Sequence, residues 1–179
     1  MSTAGPLPRC SLPQPPGEST PETGAADVSW KFIAFEALTT LELYALLQLR
    51  AEVFVLEQAC VFQDLDGADI QALHVLGQAD GQLVAYARCF GPGIKFAEAS
   101  IGRIVTLGAR RASGLGHALV QRALAATGER WGLQPIRIGA QAQLKDFYLS
   151  HGFVDAGAPY VEDGIDHLEM LWLPVEKDK

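Results

Sequence analysis

At 179 residues and 49% hydrophobic, the chain can bury a sizeable core, and one domain accommodates that length. Its formal net charge of −7 argues against a sequence-independent hold on nucleic acid, which needs a basic face, but leaves room for a local anion site. No apolar run approaches the roughly 18 uninterrupted residues of a membrane helix, which argues against a spanning segment.

Residues 1–26 hold six of the ten prolines, interleaved with Ser, Thr, Gly and Glu. That composition buries too little apolar surface to offset chain ordering, so a disordered tail is expected, followed by a folded domain over 27–175. Arg9 is the only basic residue there and no apolar stretch follows it, which argues against a secretory signal. Cys10, Cys60 and Cys89 are odd in number, far apart and without zinc-ligand spacing. They read as reduced thiols of a cytoplasmic protein, with no metal site.

A first strand is expected at Trp30–Phe35. Thr39 stands three residues before Glu42, the spacing of a capping box, and Leu43, Leu46, Leu47, Val53 and Phe54 carry an apolar stripe on to about Glu57. The stretch "QACVFQDLDGADIQA" reads as a loop, with Asp64, Asp66, Gly67 and Asp69 as turn residues. Two strands follow near Leu73–Gln78 and Gln82–Phe90, joined by "ADG", a hairpin signal. "GPG" at 91–93 breaks the chain before a strand in "ASIGRIVTL". A helix is expected from Gly114 to about Trp131, with Leu115, Leu119, Ala123, Thr127 and Trp131 on one face. "PIRIGA" is a short strand, "QLKDFYLSHG" a helix closed by Gly152, and "HLEMLWL" a last strand. The order strand, helix, three strands, helix, strand, helix, strand predicts a mixed α/β sheet, with parallel steps wherever a helix intervenes.

The stretch "RRASGLGHAL", 110–119, lies between a strand and a helix. The first turn of such a helix offers unpaired N–H groups and the positive end of a dipole. Gly114 and Gly116 leave no side chain between those donors and a phosphate. Local sequence alone fits a phosphate cradle and a surface turn equally well. A P-loop would need Lys and then Ser or Thr where His117 and Ala118 stand, and a dinucleotide fingerprint a small residue in place of Leu119.

"RIVTLGARRASGLGHAL" resembles motif A of the GNAT acetyltransferases, whose R/Q-x-x-G-x-G/A core falls on Arg111, Gly114 and Gly116. "GAQAQLKDFYLSHGF" is similar to the family's second cofactor segment, with Tyr148 four residues before Gly152. "RAEVFVLEQ", "DGAD" and "EDGIDH" resemble the ElaA-like branch specifically. The resemblance covers about residues 30–173. It implies a GNAT fold, a mixed twisted sheet splayed in the middle and flanked by helices, with acetyl-CoA as co-substrate. Main-chain groups of Ile104, Val105 and Thr106 would pair with the pantetheine arm. The amides of Arg111, Ala112, Ser113, Gly114, Leu115, Gly116 and His117 would hold the pyrophosphate, with charge added by Arg110 or Arg111. Two departures are the Ala112 that replaces a frequent Gly and the Leu107-Gly108 that replaces a common His-Pro pair. Tyr148 would protonate the departing thiolate, and Gln141 stands where relatives carry a cofactor-touching Asn. The local alternative for Tyr148 is a packed helix tyrosine.

An attacking amine must be neutral, so a base or a water chain is required. Glu57, at the end of the first helix, is the carboxylate singled out as catalytic. It and Glu162, Asp163 and Asp166 near the last strand can each attract a cationic amine or pass its proton to water, and each, Glu57 included, also fits a solvated turn. His74 and His167 are further proton carriers, or simply hydrogen-bonded strand residues. Arg88 and Arg103 sit inside strands and need partners, with Glu57 as an internal candidate; alternatively one of them grips a substrate carboxylate. Cys60 and Cys89 lack the His and Asp company of an acyl-enzyme route, so direct transfer is expected. The reading is an N-acetyltransferase acting on a primary amine of a small molecule, amino acid or peptide, as a monomer or homodimer. Its alternatives are a non-catalytic acyl-CoA-binding regulatory module and an interaction protein whose glycines only turn the chain.

Overall fold

The computed structural model describes residues 27–174; the expected tail at 1–26, with Arg9 and Cys10, and Val175 lie outside the described residues. The strands are β1 (Ser29–Ala34), β2 (Leu73–Ala79), β3 (Gln82–Phe90), β4 (Ala99–Thr106), β5 (Ile136–Gln141), β6 (Phe153–Asp155), β7 (Tyr160–Glu162) and β8 (Ile165–Trp172). The α-helices are α1 (Thr40–Arg50), α2 (Leu115–Trp131) and α3 (Lys145–Leu149). All the strands join one mixed sheet in the order β1-β2-β3-β4-β5-β8-β6, with β7 paired to β8.

The capping box forms as the Thr39–Glu42 spacing predicts: Thr39 Oγ1 accepts from the Glu42 amide at 3.2 Å and Glu42 Oε2 from the Thr39 amide at 2.9 Å. Past Arg50 the helix widens into a π-helical segment, Ala51–Glu57, of the kind that gathers at functional sites. "ADG" closes the β2–β3 hairpin with Asp80 and Gly81 both left-handed, at φ 52° and 75°, the twist-matched turn for a two-residue loop.

β3 is buried along its length after Gln82, because helices cover both faces of the sheet. On one side Leu115, Leu119, Val120 and Ala123 of α2 pack against β2, β3 and β4. On the other, Leu46, Leu49 and Val53 meet Leu76, Tyr86 and Val105. Each fully buried leucine contributes on the order of 2 kcal/mol.

Three expectations are corrected. β1 and β2 run antiparallel despite the helix between them, because the chain doubles back through the π-helical segment and a long loop until Leu73 stands opposite Ala34. β5 and β8 are likewise antiparallel although α3 lies between them. The helix expected over 143–152 is only the five-residue α3, preceded by a 3-10 turn at Ala142–Leu144. β6 and β7, three residues each, were not predicted; they are too short to display an alternating pattern.

The feature that positions the site is the junction of β4 and β5. They are parallel and pair only at Ala99–Ile136 and Ser100–Arg137, then diverge. Arg137 pins the closed end: its Nε and Nη2 reach Glu98 at 3.0 and 2.6 Å, and its Nη1 reaches Glu169 at 2.7 Å. Under this guanidinium the Glu98 carboxyl falls to about 2. Farther along β4, Arg103 and Ile104 together stand opposite the single residue Ala87 of β3. This bulge places Arg103 at φ 50°, in left-handed backbone, and bends β4 away from β5.

Candidate active site

Two adjoining cavities occupy the opening. The smaller, about 130 Å³, lies in the gap itself between Ile101–Ile104 and Gly139–Gln141, with Leu144 and Tyr148 on its wall. The larger, about 490 Å³, continues toward the loop before β4 and the β7–β8 hairpin. Phe54 and Gln58, delivered by the π-helical segment and its cap, line both, as do Arg103, Gln141 and His167. A volume near 490 Å³ falls in the range of small-molecule sites.

At the open end of the gap, Gly114 caps α2 in left-handed backbone at φ 83°, and a Cβ there would meet no atom within 4 Å. Among the described residues, the amides of Ala112, Ser113, Gly114, Leu115, Gly116 and His117 donate to no other atom of the protein. The Arg111 amide differs from expectation: it closes a turn onto the Gly108 carbonyl at 3.2 Å. Ala112 takes φ 65°, which explains why a glycine is frequent at this place in the resembling family. Six free donors at a helix N-terminus suit a diphosphate.

By strand alternation from the Leu107 amide, which bonds to Val84 O at 2.8 Å, Val105 turns its main-chain groups toward β3. Those of Ile104 and Thr106 face the gap, where Thr106 O already accepts from Arg111 Nη2 at 3.2 Å. The Val105 side chain is buried beneath α1. Gln141 spans the mouth of the gap, its Nε2 donating to Gln58 Oε1 at 3.1 Å. His117 lies 2.9 Å from His151, ring nitrogen to ring nitrogen, with Phe147 against both rings.

Tyr148 is buried on α3, edge-on to Phe147 and Phe153, and burial pushes its phenol up to about 12. His167 Nδ1 stands 2.8 Å from the Ile165 carbonyl, which can only accept, so this nitrogen carries the proton and Nε2 of the neutral ring is a lone-pair acceptor. Tyr160 stacks on this ring at 5.6 Å. His74 is instead a satisfied core residue, with Nε2 donating to Asp69 O at 3.0 Å and Nδ1 accepting from the Tyr86 hydroxyl at 2.8 Å. Glu57 lines neither cavity; its carboxylate pairs with Arg111. Cys89 is fully buried and its thiol pushed up to about 12, which makes it inert.

Arg88 and Arg103 pair not with Glu57, the expected partner, but with three aspartates of the "DLDGAD" loop, which also hold Arg50 of α1. Arg50 contacts Asp64 and Asp69, both at 2.8 Å; Arg103 contacts Asp64 at 2.7 Å and Asp66 at 4.0 Å; Arg88 contacts Asp66 at 2.6 Å and Asp69 at 2.9 Å. The six groups close into a ring of alternating charge. Lys95 joins it from outside, 2.9 Å from Asp66. Hydrogen bonds from Arg88 hold the Asp66 carboxyl far below the usual carboxylate range. Sequence reasoning took the aspartates for turn residues and passed over Arg50, Lys95, Ser100 and Tyr160. The available signal was Arg50 itself, an arginine inside the Leu46–Leu49–Val53 stripe that needed buried partners.

Among the described residues no group of three His, Cys, Asp or Glu is placed to hold a metal, and no helix is long and apolar enough to cross a membrane. Residues 46–174 match the family described as an acetyltransferase (GNAT) domain. The ElaA protein of Escherichia coli is 39% identical over 145 residues, 80% of this chain and 95% of the relative. The crystal structure of an acyl-CoA N-acyltransferase from Pseudomonas aeruginosa superposes with a TM-score of 0.78 at 43% identity, covering 81% of this chain and 99% of that one. The PaiA N-acetyltransferase of Thermoplasma acidophilum, solved in complex with coenzyme A, shares the fold at a TM-score of 0.59 and 15% identity, over 82% and 99% of the two chains.

Proposed function

The chain belongs to the GNAT acetyltransferase family, and we propose that it transfers the acetyl group of acetyl-CoA directly to a primary amine of a small molecule, amino acid or peptide. The observation that carries this reading is the opening between β4 and β5, with Tyr148 on its wall and six undonated amides at its end. Acetyl-CoA would supply an acyl group already activated on a thiol. The amides of Ala112–His117 hold its diphosphate, and the Ile104 and Thr106 main chain, beside the buried Val105, receives the pantetheine arm as an added strand. Gln141 flanks the arm at the mouth of the gap. Arg111, steadied by Glu57, adds charge next to the phosphates.

The amine nitrogen attacks the thioester carbonyl carbon, a C–N bond forms and the C–S bond breaks. His167 Nε2 takes the proton released by the amine, in place of Glu57. The Tyr148 hydroxyl gives its proton to the departing sulfur. Burial disfavours a phenolate and so keeps the Tyr148 phenol protonated, the state from which it can donate. The phenolate takes a proton back from solvent, and His167 releases one to it. Two free thiols, Cys60 and Cys89, accord with a cytoplasmic site of action.

Equilibrium titration with acetyl-CoA, followed by thiol release across an amine panel, tests the reading. Saturable binding with release is the expected result. Binding without release for any amine favours a non-catalytic acyl-CoA-binding module, and no binding overturns both.

A further inference from the structure

The larger cavity is polarised. On the side of β3, β4 and the loop between them stand Arg88, Lys95, Ser100 and Arg103, with Asp66 among these cations; on the side of the β7–β8 hairpin stand Glu162, Asp163 and His167. The ring of Arg50, Arg88 and Arg103 with Asp64, Asp66 and Asp69 is neutral, three charges of each sign, so Lys95 is a surplus cation beside it. Its ammonium has three donors, of which Asp66 takes one at 2.9 Å, and it sits over the Phe90 ring at 5.8 Å.

A second observation falls on the same wall. Arg88 Nε and Ser100 Oγ are buried without a hydrogen-bond partner, on residues 3% and 2% exposed. A buried donor left unmade costs on the order of 1–3 kcal/mol, and each such group calls for an explanation, such as a catalytic role or a bound water or ion. Both residues line the cavity beside the surplus cation.

We propose that this cavity is the acceptor site and that it selects an amine which also carries a carboxylate, as an amino acid or peptide does. The carboxylate lies toward Lys95, Ser100 and Arg88. The ammonium, before it loses its proton, is drawn toward Glu162 and Asp163, beside His167 and the gap. Phe54, Phe90 and Phe96 add apolar wall for a side chain. A polyamine meets the surplus cation at one end and is disfavoured. This inference rests on the acetyl-transfer reading.

The experiment compares matched acceptors: phenylalanine with phenethylamine, lysine with cadaverine, and glycyl-phenylalanine with its decarboxylated analogue. The expected result is at least a tenfold higher kcat/KM for the carboxylated member of a pair. Lys95→Met should raise the KM for that member and shrink the ratio, while circular dichroism and acetyl-CoA titration report an intact fold. Equal or better transfer to the decarboxylated amines, or a ratio untouched by Lys95→Met, overturns the inference while leaving acetyl transfer standing. Should no amine release thiol, the transfer reading fails instead. Calorimetry with N-acetylphenylalanine against N-phenethylacetamide then still decides: preference for the acid supports a carboxylate site, and no preference rejects it.

Discussion

Arg111 Nη2 and Glu57 Oε2 form an ion pair that ties the end of the π-helical segment to the loop ahead of α2. Arg111 also holds the Thr106 carbonyl, so one guanidinium links three segments around the mouth of the gap. Half of the Arg111 side chain is exposed, so the pair is worth only about 0.5–1 kcal/mol and is weakened by salt. Glu57→Gln should therefore raise the KM for acetyl-CoA roughly two- to five-fold, with kcat at saturation near wild type. A collapse of kcat at saturating substrates would return the role of base to Glu57.

Tyr148→Phe removes the proposed acid without changing the shape of the wall. Turnover should fall roughly 10²- to 10⁴-fold, the range of general acid catalysis, with the acetyl-CoA dissociation constant nearly unchanged. A wild-type rate would sink the assignment. His167→Gln should lower kcat with the acetyl-CoA dissociation constant nearly unchanged. A wild-type kcat in this variant would mean that the proton leaves by another route.

Gly114→Asp sets a carboxylate next to the free amides. No atom stands within 4 Å of the new Cβ, and aspartate tolerates left-handed backbone better than most residues. The fold should survive, as unfolding curves would report, while acetyl-CoA affinity drops at least tenfold. Unchanged affinity would remove the diphosphate from this loop.

Asp69→Asn should be among the costliest changes in the domain. Arg50, fully buried, and Arg88, nearly so, would each lose a charged partner, and breaking a buried network costs about 3–5 kcal/mol. Urea unfolding measures this directly. A loss below 1 kcal/mol would mean that the remaining aspartates re-pair both arginines.

The same region sets the pH response. Burial lowers the pKa of His74, with Arg50 and Arg88 also disfavouring its charge. The unfolded chain then binds more protons, so stability is full above the unfolded histidine value of about 6.5 and declines as pH falls below it. Burial pushes the Asp69 carboxyl up, but Arg50 and Arg88 together bring it below its ordinary value, and hydrogen bonds from Arg88 and Lys95 lower Asp66 as well. Their contribution is present above about 3.9 and fades as pH drops further, giving a second loss in acid. Unfolding midpoints from pH 8 to 3 should show both steps, and His74→Gln should diminish the first. A single acid step in the wild-type protein would reject the histidine contribution.

Local pattern was enough for much of this molecule. The Thr39–Glu42 spacing, the Asp-Gly hairpin, the apolar face of α2 and the glycines ahead of it act within a few residues of one another, so backbone sterics and short-range hydrogen bonds specify them. What no local window contains is the partner of a charge or the direction of a strand. Arg50, Arg88 and Arg103 are brought to Asp64, Asp66 and Asp69 from segments up to 39 residues apart, and β1 meets β2 antiparallel because of where a long excursion returns. The divergence of β4 from β5, and with it the meeting of Tyr148, His167 and Gln141 around one opening, is decided by a bulge at Arg103 and a clamp at Arg137. Both depend on residues distant in sequence, and only tertiary packing supplies them.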